Sequence, residues 1–222
     1  MKNSELVTNK TGAVYHLNLH PDEIADTIFL VGDPNRVDMV SAYFDKIEVA
    51  KDNRELKTRT GYVGDTRMTV LSTGMGTDNI DIVVTELDEL TCFDLEKKKV
   101  GDNHRTLNLI RIGTCGALNA EISLNTPVLS HYSIGLDGLL YFYDAPESIF
   151  EHELAEQFTQ KVQWSTPLPG IYACKASEAL EDRFVNNKDF VKGITVTAPG
   201  FYGPQGRAIR LPLKYPRMNE KI

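Results

Sequence analysis

Leu107-Asn108-Leu109-Ile110-Arg111-Ile112-Gly113-Thr114-Cys115-Gly116-Ala117-Leu118 is an apolar run broken by one arginine and closed by a glycine-flanked turn. Leu109, Ile110 and Ile112 have the partly β-branched character of a buried parallel strand, and Gly113 and Gly116 let the chain bend at its carboxyl end. In open α/β sheets, ligands bind at that end of the strands. A guanidinium on a buried strand needs a counter-charge, because an isolated buried charge is too costly to keep. Arg111 is therefore expected to face either a carboxylate or a bound anion.

Working outward, the same grammar recurs twice upstream. Thr27-Ile28-Phe29-Leu30-Val31 reads as a buried strand running into Gly32-Asp33-Pro34-Asn35-Arg36, after which Val37, Val40 and Phe44 keep helical spacing. The first turn of a helix exposes unpaired N–H groups, a glycine admits an anion close to the backbone, and Arg36 adds a bidentate charge. Ser72-Thr73-Gly74-Met75-Gly76-Thr77-Asp78-Asn79 is the second such turn, delivering the chain into an amphipathic helix through Ile80, Val83, Val84 and Leu87, with Thr77, Asp78 or Asn79 as its cap. Three strand-to-glycine junctions are thus expected to converge on one edge of a sheet. Between them, Ile47 to Ala50, Lys57 to Val63 and Arg67 to Leu71 read as an antiparallel meander, with Gly64-Asp65 a hairpin turn and Asn53-Arg54-Glu55 a polar one.

The flanks are less regular. Val14-Tyr15-His16-Leu17-Asn18-Leu19 alternates like a short strand and carries a histidine, Pro21 to Ile24 starts a brief helix, and residues 94–105 read as a charged, solvated loop. Downstream, residues 127–131 and 139–143 give strand signals around a turn at Leu136-Asp137-Gly138, and Glu151 to Val162 has helical period. Trp164 to Asp189 is ambiguous, with Pro167 and Pro169 marking a loop and Ser177 to Phe184 a short helix. Gly193 to Thr197 is a strand that opens into Ala198-Pro199-Gly200-Phe201-Tyr202-Gly203-Pro204-Gln205-Gly206-Arg207. An amide and an arginine two residues apart can read the edge of an acceptor-rich ring while an aromatic supplies a stacking face; an ordinary surface turn is the alternative.

Whole-chain properties narrow the field. At 222 residues the expectation is a single α/β domain spanning residues 1–222. The formal net charge of -7 argues against a general nucleic-acid binder, which would show a basic stripe. Cys92, Cys115 and Cys174 follow no CxxC spacing, so neither zinc nor a disulfide framework is expected, and a reducing cytoplasm fits. Met1 to Glu5 shows no secretory pattern and no stretch reaches the ~20 apolar residues of a membrane span. HExxH, Walker, GxSxG and Cys/His-cluster motifs are absent from the sequence.

Taken in order, VYHLNL, VGDPNRV, NREL, STGMG, RIGTCGAL and GITVTAPGFYGPQGR resemble the motifs of the nucleoside phosphorylases, the family that includes uridine phosphorylase and the hexameric bacterial purine nucleoside phosphorylases. The resemblance runs from about Val14 to Arg207. It implies a three-layer α/β/α fold around a central mixed sheet, and a phosphate cradle of Gly32, Arg36, Arg111 and Thr114, with Arg54 reaching into a neighbouring subunit's phosphate site. It implies ribose contacts from His16, lent by a neighbour to the 5′-hydroxyl, and from Met75 and Thr114. Cys115 and Gly116 would lie beside the base, and the Phe201, Gln205 and Arg207 spacing resembles the uracil-reading loop of uridine phosphorylases. Arg36, Arg111, Gln205 and Arg207 are the implied catalytic groups.

The implied reaction is phosphorolysis of uridine to uracil and ribose 1-phosphate in nucleoside salvage. Inorganic phosphate is the co-substrate, with no metal or organic cofactor; Glu55 matches a glutamate that holds a structural monovalent cation between subunits in some relatives. A purine or broad-specificity phosphorylase, or a nucleoside-binding homologue without turnover, is the alternative. Shared sites imply at least a homodimer and, by family, a hexamer built as a trimer of dimers, with neither nucleic acid nor membrane as partner. Two departures stand out: Asn125-Thr126 replaces a usual Gly-Asp, and Thr77-Asp78-Asn79 replaces a proline- or serine-rich helix start. The family also continues into a Glu-Met-Glu ribose motif and a closing helix, whereas this sequence reads Met218-Asn219-Glu220-Lys221-Ile222; a fragment truncated at its C-terminus is expected, the alternative being a protein without the carboxylates that grip the ribose 2′- and 3′-hydroxyls.

Overall fold

In the computed structural model, which describes residues 5–102, 104–164, 168–184 and 189–222, the strand β1 (Thr27–Val31) feeds two apolar layers at once. Side chains alternate across a strand. Ile28 and Leu30 therefore join one cluster with Leu56, Leu71, Val83, Leu87 and Leu90, while Phe29 and Val31 join another with Val37, Val40, Phe44 and Val70. Each such side chain taken fully out of water contributes roughly 1.5–3 kcal/mol. The readings at Met1 to Ser4, Asn103 and Pro167 lie outside the described residues.

The Cα atoms group into two units, Met1–Thr114 and Cys115–Ile222. In the first, α1 (Pro34–Ser41) follows β1, and the meander β2 (Lys46–Asn53), β3 (Leu56–Val63) and β4 (Thr66–Ser72) leads into α2 (Thr77–Cys92). A two-stranded ribbon, β5 (Phe93–Asp94) with β6 (Lys99–Val100), precedes β7 (Asn108–Ile112). The five-stranded sheet has the order β2-β3-β4-β1-β7. β2, β3 and β4 pair antiparallel, and β1 is parallel to both β4 and β7, so the sheet is mixed as the sequence suggested. α1 packs on one face, and α2 with Val14, Leu17, Leu19 and Ile24 on the other.

Four expectations change here. β7 is an edge strand of this sheet, with Arg111 and Ile112 exposed, because among the described residues it pairs only with β1 there. Residues 14–19 form no strand: Val14 bridges Thr8 and the chain then turns, burying Val14, Leu17 and Leu19 without a ladder. α2 starts after Gly76, at φ 99°, and no side chain from Thr77, Asp78 or Asn79 caps it. The loop at residues 94–105 includes the β5–β6 ribbon and ends in Arg105, which grips Asp26 at 2.7 Å.

The second unit holds β8 (Val128–Gly135), α3 (His152–Val162), β9 (Tyr172–Lys175), α4 (Glu178–Glu181) and β10 (Val191–Thr197), with sheet order β10-β8-β9. β10 runs parallel to β8 and β9 antiparallel to it. Ile134, Leu136, Phe158, Val162, Ile171, Ala173 and Met218 form its core. Residues 139–142 are a 3-10 turn rather than a strand, because Gly138 enters in the left-handed region and Tyr141 donates to the Ile171 carbonyl at 2.7 Å. Gly135 is required by packing: a Cβ there would lie 2.2 Å from the Tyr172 ring. Asn125 takes φ 64°, a left-handed conformation that asparagine tolerates well. Among the described residues, no helix is long and apolar enough to cross a membrane.

Candidate active site

Register brings the three glycine junctions together. Val31 is opposite both Ser72 and Ile112 in parallel pairings, so Gly32, Thr73 and Gly113 leave the sheet along the same edge. Thr73 N–H donates to the Val31 carbonyl at 2.7 Å and ties two of the turns. Asp33 accepts from Asn35 N–H at 2.9 Å, and Pro34 begins α1, which places Arg36 in its first turn. Three separate strand ends thus supply one rim.

Arg111 occupies this rim. A Cβ built on Gly32 would lie 3.6 Å from Arg111 Nη2 and 3.7 Å from the Gly74 carbonyl, so the bare Gly32 backbone faces the guanidinium. Arg111 Nη1 donates to Thr73 Oγ1 at 3.4 Å. Partial burial, and then the charge of Arg36, hold the Arg111 pKa below its ordinary value. Among the described residues neither arginine is paired with a carboxylate. Of the two counter-charges the sequence allowed for Arg111, the carboxylate is not present, and two like charges share a site that an anion would neutralise.

The other residues of this unit sit as follows. Arg54 is exposed at the β2–β3 hairpin tip with φ 55° and no carboxylate partner among the described residues. Glu55 beside it accepts from Asn79 Nδ2 at 3.2 Å, and its carbonyl accepts from Ser72 Oγ at 2.6 Å. Met75 is 90% exposed in the second glycine turn, and Thr114 is exposed after Gly113. His16 is anchored by Glu86, whose carboxylate lies 2.6 Å from the ring Nδ1.

In the second unit, Cys115 and Gly116 are exposed. Phe201, Gln205 and Arg207 come together as their spacing suggested. Gly203–Gln205 makes one 3-10 turn, Gly206 at φ 74° reverses the chain, and Arg207 N–H closes the loop on the Tyr202 carbonyl at 2.9 Å. The Arg207 guanidinium then lies 4.4 Å over the Phe201 ring, with its Nε and Nη2 each 3.4 Å from Gln205 Oε1. The ring and the guanidinium are exposed, which leaves a flat face and planar N–H donors for a ligand.

Two residues escaped the reading of the sequence. Thr73 stands in the sequence only as one residue of a glycine turn, yet its hydroxyl bonds Arg111. Glu86 sits on the buried face of α2 with Val83, Leu87 and Leu90, and a glutamate at an apolar helical position was the available signal.

A family model, the phosphorylase superfamily, matches residues 26–220. The DeoD-type purine nucleoside phosphorylase of Bacillus velezensis is 31% identical over 116 residues, 52% of this chain and 44% of that protein. The uridine phosphorylase of Treponema pallidum is 30% identical over 128 residues, 58% of this chain and 44% of that one. The chain therefore spans less than half the length of these relatives. The crystal structure of Trypanosoma brucei nucleoside phosphorylase, which shows uridine phosphorylase activity, superimposes with TM-score 0.80 at 30% identity, covering 97% of this chain and 76% of that one. With sheet topology, ordered motifs and family model in agreement, the chain belongs to the phosphorylase superfamily, among the nucleoside phosphorylases.

Proposed function

We propose that the full-length protein is a pentosyltransferase that splits uridine with inorganic phosphate, releasing uracil and ribose 1-phosphate. The observation that carries phosphorolysis is Arg111 beside the bare Gly32 backbone, with Arg36 near enough to depress its pKa, two cations without a carboxylate partner among the described residues. Phosphate held there attacks C1′ of the ribose, and fixing it in place removes much of the entropy cost of a bimolecular step. Bond breaking runs ahead of bond making, so the sugar gains oxocarbenium character that the phosphate dianion stabilises. Arg54 and His16 serve a neighbouring subunit's phosphate and ribose, which makes the active form at least a dimer and, by family, a hexamer.

The choice of uridine rests on the Phe201, Gln205 and Arg207 cluster. As the glycosidic bond breaks, uracil gathers negative charge on its carbonyls. Arg207 and Gln205 then bind the transition state more strongly than the substrate. The purine nucleoside phosphorylases among the relatives favour a second reading, purine or broad specificity. The purified full-length protein, given equal uridine and inosine with saturating phosphate, should release uracil first; preferential release of hypoxanthine supports the second reading. Binding of uridine without any ribose 1-phosphate would mean a homologue that has lost turnover. Arg207→Ala should lower uridine kcat/KM by roughly a hundredfold, the loss of a charged hydrogen-bond donor, while changing phosphate KM less than threefold. Equal losses would contradict the assignment.

A further inference from the structure

His16 is held more elaborately than a surface histidine requires. Its backbone N–H donates to both oxygens of Glu86, at 2.8 and 3.0 Å, and Leu17 N–H donates to Oε2 at 2.7 Å. The ring Nδ1 lies 2.6 Å from Oε1. Asn53 Nδ2 donates to the His16 carbonyl at 2.7 Å, so the peptide on either side of the ring is pinned. The Glu86 side chain is only 8% exposed, and burying a carboxylate in an apolar helix face is justified only by partners of this kind.

The chemistry of these contacts dictates where a proton sits. Backbone N–H groups can only donate, and two of them aimed at one carboxylate favour its ionised form. An ionised carboxylate can only accept, so Nδ1 must carry the hydrogen in the 2.6 Å contact. Glu89, one turn further along α2, is the carboxyl that burial and then the Glu86 charge push up to about 7.

We propose that Glu86 is a positioning residue: by accepting from Nδ1 it fixes the orientation and tautomer of His16, leaving Nε2 as a hydrogen-bond acceptor for the 5′-hydroxyl of the nucleoside. This rests on the assignment of His16 to the ribose of a neighbouring subunit. Without Glu86 the ring can rotate and can carry its proton on Nε2, where it no longer accepts. The carboxylate thus acts on substrate through the ring rather than by touching it.

The test uses the full-length protein and compares uridine with 5′-deoxyuridine, which lacks the hydroxyl that His16 would bind. The wild-type preference for uridine in kcat/KM should fall about tenfold in Glu86→Gln and by a similar factor in His16→Ala, with the double variant no worse than His16→Ala. A Glu86→Gln loss equal on the two substrates, or a double variant showing the product of both losses, overturns the proposal and leaves Glu86 a structural anchor. Should Glu86→Gln not fold, neutron diffraction from the wild-type protein decides: a deuteron on Nδ1 with Nε2 bare supports the proposal, and one on Nε2 alone overturns it. If the wild-type protein phosphorolyses no nucleoside, the functional reading fails, whereas the neutron result still tests the tautomer.

Discussion

Gly32→Ala separates two reasons for a glycine at the end of β1. The added Cβ would meet Arg111 Nη2 at 3.6 Å and the Gly74 carbonyl at 3.7 Å, which are ordinary van der Waals separations, and Gly32 is not among the glycines with positive φ. The folded chain therefore accepts alanine without strain. Loss of glycine's freedom in the unfolded chain should even add about 0.4–1 kcal/mol of stability. An anion seated on the Gly32 backbone is another matter, since the methyl group would stand where it approaches. Losing one charge-assisted N–H bond costs roughly 1.5–3 kcal/mol, a ten- to hundredfold rise in phosphate KM. Thermal unfolding without phosphate and phosphate-dependent initial rates would measure the two halves on one variant. A destabilised Gly32→Ala would show that the contact geometry has been misjudged, and a stable variant with wild-type phosphate KM would refute anion binding at this glycine.

Three further outcomes follow from particular contacts. Arg111→Met should leave stability without phosphate unchanged or slightly higher, because it relieves repulsion with Arg36, while abolishing the stabilisation of about 2.7 kcal/mol that an anion at a hundred times its Kd confers; thermal melts with and without phosphate measure it. Glu89, raised from 4.5 to about 7, holds a proton in the native state that the unfolded chain has released, so its contribution is complete below pH 4.5 and is lost as pH rises through about 7. Unfolding free energies from denaturant titrations should thus fall from pH 5 to pH 8 by on the order of 1–2 kcal/mol more in wild type than in Glu89→Gln, after allowing for partial solvent contact. Gly206→Ala places a Cβ 2.4 Å from Met218 N at φ 74° and should cost about 1–3 kcal/mol in denaturant unfolding while loosening the Phe201–Arg207 loop.

Much of the architecture was readable because local patterns repeat a physical motive. β1, β3, β4 and α3 fall where apolar runs, alternation or helical period placed them, since each has at least one side that must leave water. β9 was missed inside the ambiguous segment of residues 164–189, for Tyr172-Ala173-Cys174-Lys175 is too short to show a period. The strand read at residues 139–143 failed because five apolar and aromatic residues in a row are equally compatible with a 3-10 turn covering a neighbouring core.

The chain's own order of residues determined which turns carry glycine, which strands end in them, and that an amide, an arginine and an aromatic share one loop; these depend on chemistry between near neighbours. Tertiary structure brought the turns after Val31, Ser72 and Ile112 to one edge, since parallel register joins residues about forty and about eighty positions apart. It alone decided that Arg111 lies within the field of Arg36 and has no carboxylate partner among the described residues, and that His16 rests on Glu86 seventy residues away. A charge's partner is set by distance in space, and nothing in a sequence specifies that distance until the sheet has formed.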